Sequence, residues 1–317
     1  MMLSLQLLDV VRQPSKRALP ESINAVSQAL ERKYGRATMG ILFYGSCLRA
    51  RSDQESLVDC YVLVETYSAA YQSKWLAAAN WALPPNVFYL SIPFADRMIR
   101  VKYAVLSLTD FERGVTSHWF HSYFWARFAQ PTALLLAATP EVERRIFHGL
   151  VQAVRTFVGN TLPYMTQAFT AEQLWQTGLM LTYGAELRSE PKGRVQTLWA
   201  HDREYYERVT QALLLSQPSC LRIDQGEGQS RYMVTYNSRE RLGNRYGWVV
   251  RKIQGKILSI LRLMKAAFTF QGGADYLIWK IERHSGVKIE LTPAQRRHPI
   301  WAGLTTFWRL YRQGAFR

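Results

Sequence analysis

With 317 residues the chain is long enough for two domains of ordinary size and a sizeable core. Its 40 Lys and Arg against 24 Asp and Glu leave a charge of +16, which points to polyanionic partners (nucleotides, nucleic acid or anionic lipid headgroups) without choosing among them. Three cysteines, Cys47, Cys60 and Cys220, have neither the number nor the spacing for a disulfide framework or a zinc site and favour a reducing compartment, and no apolar run is long enough to span a bilayer.

The apolar stretch at residues 3–11 has no preceding basic region and no clear cleavage site, so it is read as part of the mature protein. Ile23, Val26, Leu30 and Tyr34 then fall on one helical face after the start signal Pro20-Glu21-Ser22, which predicts a helix feeding the first strand. Residues 40–65 read as an apolar strand (41–44), an abrupt Gly45-Ser46, a polar loop and a second strand (57–64) in which Asp59 stands among apolar residues. An acid in a buried-looking strand needs a partner, because an unpaired buried carboxylate is costly and tends to protonate. Metal and phosphate would supply that partner: the glycine lets backbone N–H groups approach a phosphate, and the serine adds a hydroxyl donor. This is the logic of a nucleotidyltransferase site, with triphosphate on the Gly-Ser turn and magnesium on the carboxylate; an ordinary turn is the other reading of the pair. Tyr61 stands where many nucleotidyltransferases carry a second acid on the same strand face. The next acid on that face, Glu65, would lie about 20 Å from Asp59 on an extended strand and is not assigned as a ligand.

Residues 73–81 are predicted as a short helix stopped by Pro84-Pro85, and 87–92 with 97–107 as a hairpin about Phe94-Ala95-Asp96. Arg100, Lys102 and Ala104 share one face of its second strand. Lys102 either faces water, the commoner case, or neutralises phosphate in the same cleft if its strand neighbours that of Asp59. Residues 110–137 are rich in aromatics, and His118 and His121 among them are expected to be packed rather than catalytic. After Pro140 the pattern turns helical, with Val142, Ile146, Leu150, Val154 and Val158 on one face and further helical patterns at 171–188 and 197–215. A polar, Gly-rich stretch follows at 217–244, with a short strand at 231–236, and then a basic helix at 248–265. Near the end, Trp301, Leu304, Trp308 and Tyr311 form one stripe at helical spacing beside Arg309 and Arg312, which suits either a helix packed on the domain or one lying at an anionic membrane interface.

The succession Tyr44-Gly45-Ser46, Ser52-Asp53-Gln54, Asp59, Val101-Lys102-Tyr103-Ala104-Val105-Leu106-Ser107 and Ala126-Arg127-Phe128-Ala129-Gln130-Pro131 resembles the mitochondrial-type phosphatidate cytidylyltransferase family, the translocator assembly and maintenance proteins. The likeness, that of a bacterial member, continues through Glu186-Leu187-Arg188, Lys192-Gly193-Arg194-Val195 and Lys265-Ala266-Ala267-Phe268-Thr269. It covers roughly residues 40–270. Cys47 stands where the family turn has a second glycine, Ala104 where its lysine strand has a glycine, and the chain after Gly273 has no counterpart.

Pattern and resemblance together give an α+β fold: a nucleotidyltransferase-like mixed sheet domain over 1–137, a helical, winged-helix-like domain over 138–245, and a basic helical, membrane-associating region over 246–317. The resemblance implies transfer from CTP to phosphatidic acid, giving CDP-diacylglycerol and pyrophosphate for phospholipid synthesis. Mg2+ would be held by Asp59, the triphosphate by Tyr44, Gly45 and Ser46, and a phosphate oxygen by Lys102. Arg188, Lys192, Arg194 and Lys265 would meet nucleotide or lipid phosphate, with Glu186 either an ion-pair partner of the basic residues beside it or a contributor to the metal site. The partners implied are CTP, phosphatidic acid and an anionic membrane surface, with no nucleic acid, and the place is cytoplasmic, peripheral to the inner face of the membrane. The rival classes are a nucleotidyltransferase acting on RNA or protein and a non-catalytic nucleic-acid-binding protein.

Overall fold

Proline and glycine bracket the elements that build the first layer. Helix α1 (Met2–Arg12) is followed by α2 (Glu21–Tyr34), which begins directly after Pro20 and stops at Gly35 with φ +52°, burying the stripe Ile23, Val26, Leu30 and Tyr34. The computed structural model describes residues 2–50, 57–187, 192–214, 220–224 and 230–269. Strand β1 (Thr38–Tyr44) leads through Gly45 into the short α3 (Ser46–Ala50), and β2 (Leu57–Val64) returns antiparallel to β1. Helices α4 (Tyr67–Ala70) and α5 (Lys74–Ala82), capped by Thr66 and Ser73, carry the chain to the hairpin of β3 (Asn86–Phe94) and β4 (Arg97–Ser107). Ala95 turns the hairpin with φ +51°. Two short helices, α6 (Leu108–Gly114) and α7 (Trp125–Phe128), precede β5 (Thr132–Ala137), which closes a five-stranded sheet of order β3-β4-β2-β1-β5. Only β2 and β4 run parallel; the other neighbours are antiparallel.

Side chains alternate between the sheet's faces. Ile41, Phe43, Val58, Cys60, Val62, Val101, Tyr103 and Val105 point to one face and pack against α2. Leu42, Tyr61, Leu63, Ala104 and Leu106 point to the other and meet the helical layer. Full burial of each such side chain is worth about 1.5–3 kcal/mol, so both faces contribute to holding the sheet.

The helical layer starts with α8 (Pro140–Thr161), whose first turn has Pro140, the acids Glu141 and Glu143, and a Thr139 cap that accepts from the Val142 N–H. It continues through β6 (Phe169–Thr170), α9 (Ala171–Tyr183) opened by a Thr170/Gln173 capping box, α10 (Lys192–His201) and α11 (Arg203–Leu214). Strands β7 (Cys220–Asp224) and β8 (Ser230–Val234) form a hairpin whose second strand pairs with β6, so the three-stranded order β6-β8-β7 places a strand pair beside the helices as a wing. One predicted helix at 197–215 is two helices, broken at Asp202. Helix α1 packs on α8 and α11, and one core contains Leu7, Val10 and Val11 together with Tyr61, Ile146, Trp175 and Tyr206. The core is thus continuous across 137/138.

Helix α12 (Ser238–Thr269) begins before 245/246 and runs for 32 residues, about 48 Å. Its inner side straps the two parts together. Arg241 donates to the Pro163 and Met165 carbonyls, buried Trp248 to the Asn160 carbonyl, and Arg251 to the Phe120 carbonyl while lying over the Phe120 and Trp248 rings. Arg262 and Lys265 reach the loop after α5, donating to the carbonyls of Pro84 and of Leu83 and Pro85 respectively. Gly255 allows the closest approach, since a Cβ there would stand 2.3 Å from the Ala185 carbonyl oxygen. No helix among the described residues is long and apolar enough to cross a membrane.

Candidate functional site

The register of the sheet places Lys102, Asp59, Tyr44 and Thr132 in one row across β4, β2, β1 and β5. Residues opposite one another in adjacent strands point to the same face, so this row lies on the side covered by the helical layer. The row sits where β1 ends, and there the chain turns at Gly45. Its φ of +89° is a conformation that L side chains rarely adopt, and a Cβ at this position would stand 3.0 Å from Asp59 Oδ2. The turn backbone therefore lies directly over the carboxylate. Lys102 Nζ is 3.6 Å from Asp59 Oδ1, with the two side chains 39% and 22% exposed, so the pair is an ion pair in contact with water.

Four separated stretches converge on this carboxylate to form a solvent-open cleft. Tyr44, Gly45, Ser46 and Arg49 come from the β1 turn and α3, and Asp59 comes from β2. Arg127, Gln130 and Pro131 come from α7 and the segment leading to β5, while Tyr183, Glu186 and Arg194 come from the end of α9 and from α10. Among the described residues, three arginines and two acids thus line the cleft. Arg127 lies over the Tyr44 and Tyr123 rings, at 5.3 and 5.6 Å, and its Nη2 is 3.9 Å from Glu186. Its buried Nε has no hydrogen-bond partner among the described residues. Burial, with the Asp59 charge next, raises the Tyr44 phenol well above its ordinary pKa, so it stays protonated as a hydrogen-bond donor.

The sequence-predicted residues divide by location. Tyr44, Gly45, Ser46, Asp59 and Arg194 line the cleft, and Lys102 stands beside it through its pair with Asp59. Lys192 opens α10, two residues before Arg194. Lys265 is not brought there: its ammonium caps the Leu83 and Pro85 carbonyls, and burial together with Arg262 pushes its pKa down to about 7. Arg188 and the stripe Trp301, Leu304, Trp308 and Tyr311 lie outside the described residues. Glu186 pairs with Arg127, which comes from a separate stretch of the chain. His121 is packed: it accepts a hydrogen bond from the Trp119 indole, and burial followed by the nearby Arg262 lowers its pKa to about 3, which keeps it neutral. Sequence reasoning gave no site role to Arg49, Arg127 or Gln130. The last two sit in the family-like Arg127-Phe128-Ala129-Gln130-Pro131 segment, and that order was their one signal. Arg49 had none beyond its place three residues after Ser46.

No cluster of three or more His, Cys, Asp or Glu suited to a metal occurs among the described residues. A dedicated protein cage is not what magnesium requires, since it is commonly held by one or two carboxylates plus substrate phosphate oxygens and waters. Asp59 beneath an open glycine turn, with the Ser46 hydroxyl in the same cleft and Glu186 on the opposite wall, fits that donor set. Comparison of the chain with protein-family models and with curated proteins gives no match.

Proposed function

We propose that the chain transfers the cytidylyl group of CTP to phosphatidic acid, releasing CDP-diacylglycerol and pyrophosphate, with the sheet part acting as a nucleotidyltransferase-like domain at the inner membrane surface. The observation that carries this reading is the convergence in one cleft of residues from five of the family-like stretches: Tyr44-Gly45-Ser46, Asp59, Arg127 with Gln130-Pro131, Glu186, and Arg194.

In the reaction an oxygen of the ionised lipid phosphate forms a bond to the α-phosphorus. The bond from that phosphorus to the oxygen bridging to the β-phosphate breaks, and its electron pair leaves with pyrophosphate. The nucleophile is already an anion, so no general base is required. The obstacle is bringing two polyanions together, and positioned cations meet it. The Gly45 turn and the Ser46 hydroxyl bind phosphate oxygens. Glu186 and the Tyr44 and Tyr123 rings fix the guanidinium plane of Arg127, whose partly exposed edge meets phosphate oxygens. Arg49 and Arg194 add positive charge from the other sides of the cleft. Lys102 neutralises phosphate at the Asp59 end. Magnesium bound by Asp59 together with nucleotide oxygens would supply further charge neutralisation at the α-phosphate.

Incubation with labelled CTP, magnesium and phosphatidic acid vesicles tests the reading. A lipid-soluble labelled product is expected with CTP and not with ATP or GTP. Labelling of RNA or protein instead would assign the cleft to another acceptor, and no transfer to any acceptor would refute the enzymatic reading.

A further inference from the structure

Among the described residues the outer side of α12 has no partner. Leu242, Tyr246, Val249, Ile253, Ile257, Ile260, Met264 and Phe268 recur at spacings of four, three, four, four, three, four and four, and all are exposed, Ile253 by 58% and Phe268 by 76%. At 100° per residue they make one stripe about 39 Å long, opposite the anchors Trp248, Arg251 and Arg262 on the inner side. Arg245, Lys252 and Lys256 are exposed along one flank of that stripe. The loop gripped by Arg262 and Lys265 adjoins α5, whose Trp81 is 77% exposed. Soluble monomers rarely leave so continuous an apolar face in water.

We infer that this face of α12 is a docking surface that lies in the plane of an anionic lipid bilayer. From Arg241 to Thr269 the chain has seven Lys and Arg and no Asp or Glu. An apolar stripe with a cationic flank, on a helix unable to span, is the physical description of an interfacial helix, and exposed indole suits the headgroup level. The same charge argues against a second copy of this chain as the occupant, since two such helices would set cation against cation with no acid to pair them. The inner side of the helix abuts Ala185, next to Glu186 of the cleft, so a bilayer on the outer side lies about one helix diameter from that wall. This surface deepens the proposed function by giving it a route to a bilayer-borne substrate, and it can be tested without that function.

The experiment compares the full-length protein with Ile253→Asp/Ile257→Asp in co-sedimentation with vesicles of phosphatidylcholine alone or mixed with phosphatidylglycerol. The wild type should bind the mixed vesicles and release them at high salt. The variant should bind at least ~10-fold more weakly, because two half-exposed isoleucines no longer enter the lipid, with an unchanged melting temperature in the absence of lipid. Equal vesicle binding by the two proteins overturns the inference. A melting temperature that falls without lipid also overturns it, since the face would then be covered by another part of the chain, as does a wild-type dimer that the variant dissociates. Transfer from CTP to a short-chain, water-dissolved phosphatidate separates the two proposals: the variant should keep that activity, and a protein with no transfer at all can still pass or fail the vesicle test.

Discussion

Replacing Gly45 with alanine perturbs the site by a single methyl group. Two costs follow from its geometry. The φ of +89° is disfavoured for an L residue, and the added Cβ would stand 3.0 Å from Asp59 Oδ2, so turn or carboxylate must move by a few tenths of an ångström. A residue held in a sparsely populated backbone region costs about 1–3 kcal/mol, against a total stability of about 5–15 kcal/mol for a folded domain. The variant should therefore melt at lower temperature yet stay folded at 25 °C. Transfer should suffer more, because loss of one preorganised electrostatic contact typically costs about 2.7–4 kcal/mol, or a hundredfold or more in rate. Melting curves with and without magnesium and CTP, run beside the transfer assay, separate the two effects. A Gly45→Ala protein that transfers within about twofold of wild type would refute the placement of phosphate on this turn, because a strained turn over a displaced carboxylate could not leave a preorganised site untouched.

Asp59→Asn keeps the size of the side chain and removes the charge a divalent ion needs; its pair with Lys102 is open to water and worth at most about 1 kcal/mol, so transfer should be abolished with little change in melting temperature, and near-wild-type activity would remove Asp59 from the mechanism. Lys102→Ala should lower transfer far more than removal of a solvated lysine such as Lys74 while the fold is retained; unchanged kinetics would return Lys102 to the role of a surface charge. CTP with magnesium should raise the melting temperature of the wild type by binding the folded state, and equal shifts with ATP and GTP would point to a different nucleotidyltransferase.

The sheet was legible wherever local chemistry decides structure. The apolar runs around Ile41 and Val62, the Gly45 break and the turn at Ala95 set the strands, and the neighbourhood of Asp59 and Lys102 followed once β2 and β4 paired in parallel. Contacts made by residues far apart in sequence were not legible. Nothing local in α1 says that Leu7, Val10 and Val11 join the helical core, and no Gly or Pro marks the break at Asp202, a buried acid whose ion-pair partner is Arg17, 3.6 Å away and near the start of the chain. The cleft divides in the same way. Gly45, Ser46 and Asp59 announced themselves by spacing, whereas Arg127 is hidden in an aromatic run and gains its meaning from Glu186, which the helical layer brings to it. Lys265 carried a motif-like signal, yet its burial against the Leu83 and Pro85 carbonyls gives it a structural task.

The number of acids in the cleft bears on which acceptor it can serve. Tyr61, in the place where a second strand acid would stand, is fully buried with its ring centroid 4.9 Å from that of Phe128 and 5.4 Å from that of Tyr44. The packing of the helical layer on the sheet thus fills the place of a second acid on β2 with an aromatic ring. Among the described residues the cleft is lined by two acids, each engaged by a cation, Asp59 by Lys102 and Glu186 by Arg127, and by no histidine. Removing a proton from a hydroxyl acceptor, such as a ribose or a serine, calls for a free base near the α-phosphate. A phosphate monoester arrives already ionised and asks only for cations, which Arg49, Arg127, Arg194 and Lys102 supply from separate elements of the fold. Among the described residues, the charge balance of the cleft thus suits the anionic nucleophile of the proposed reaction, an argument separate from any likeness in sequence.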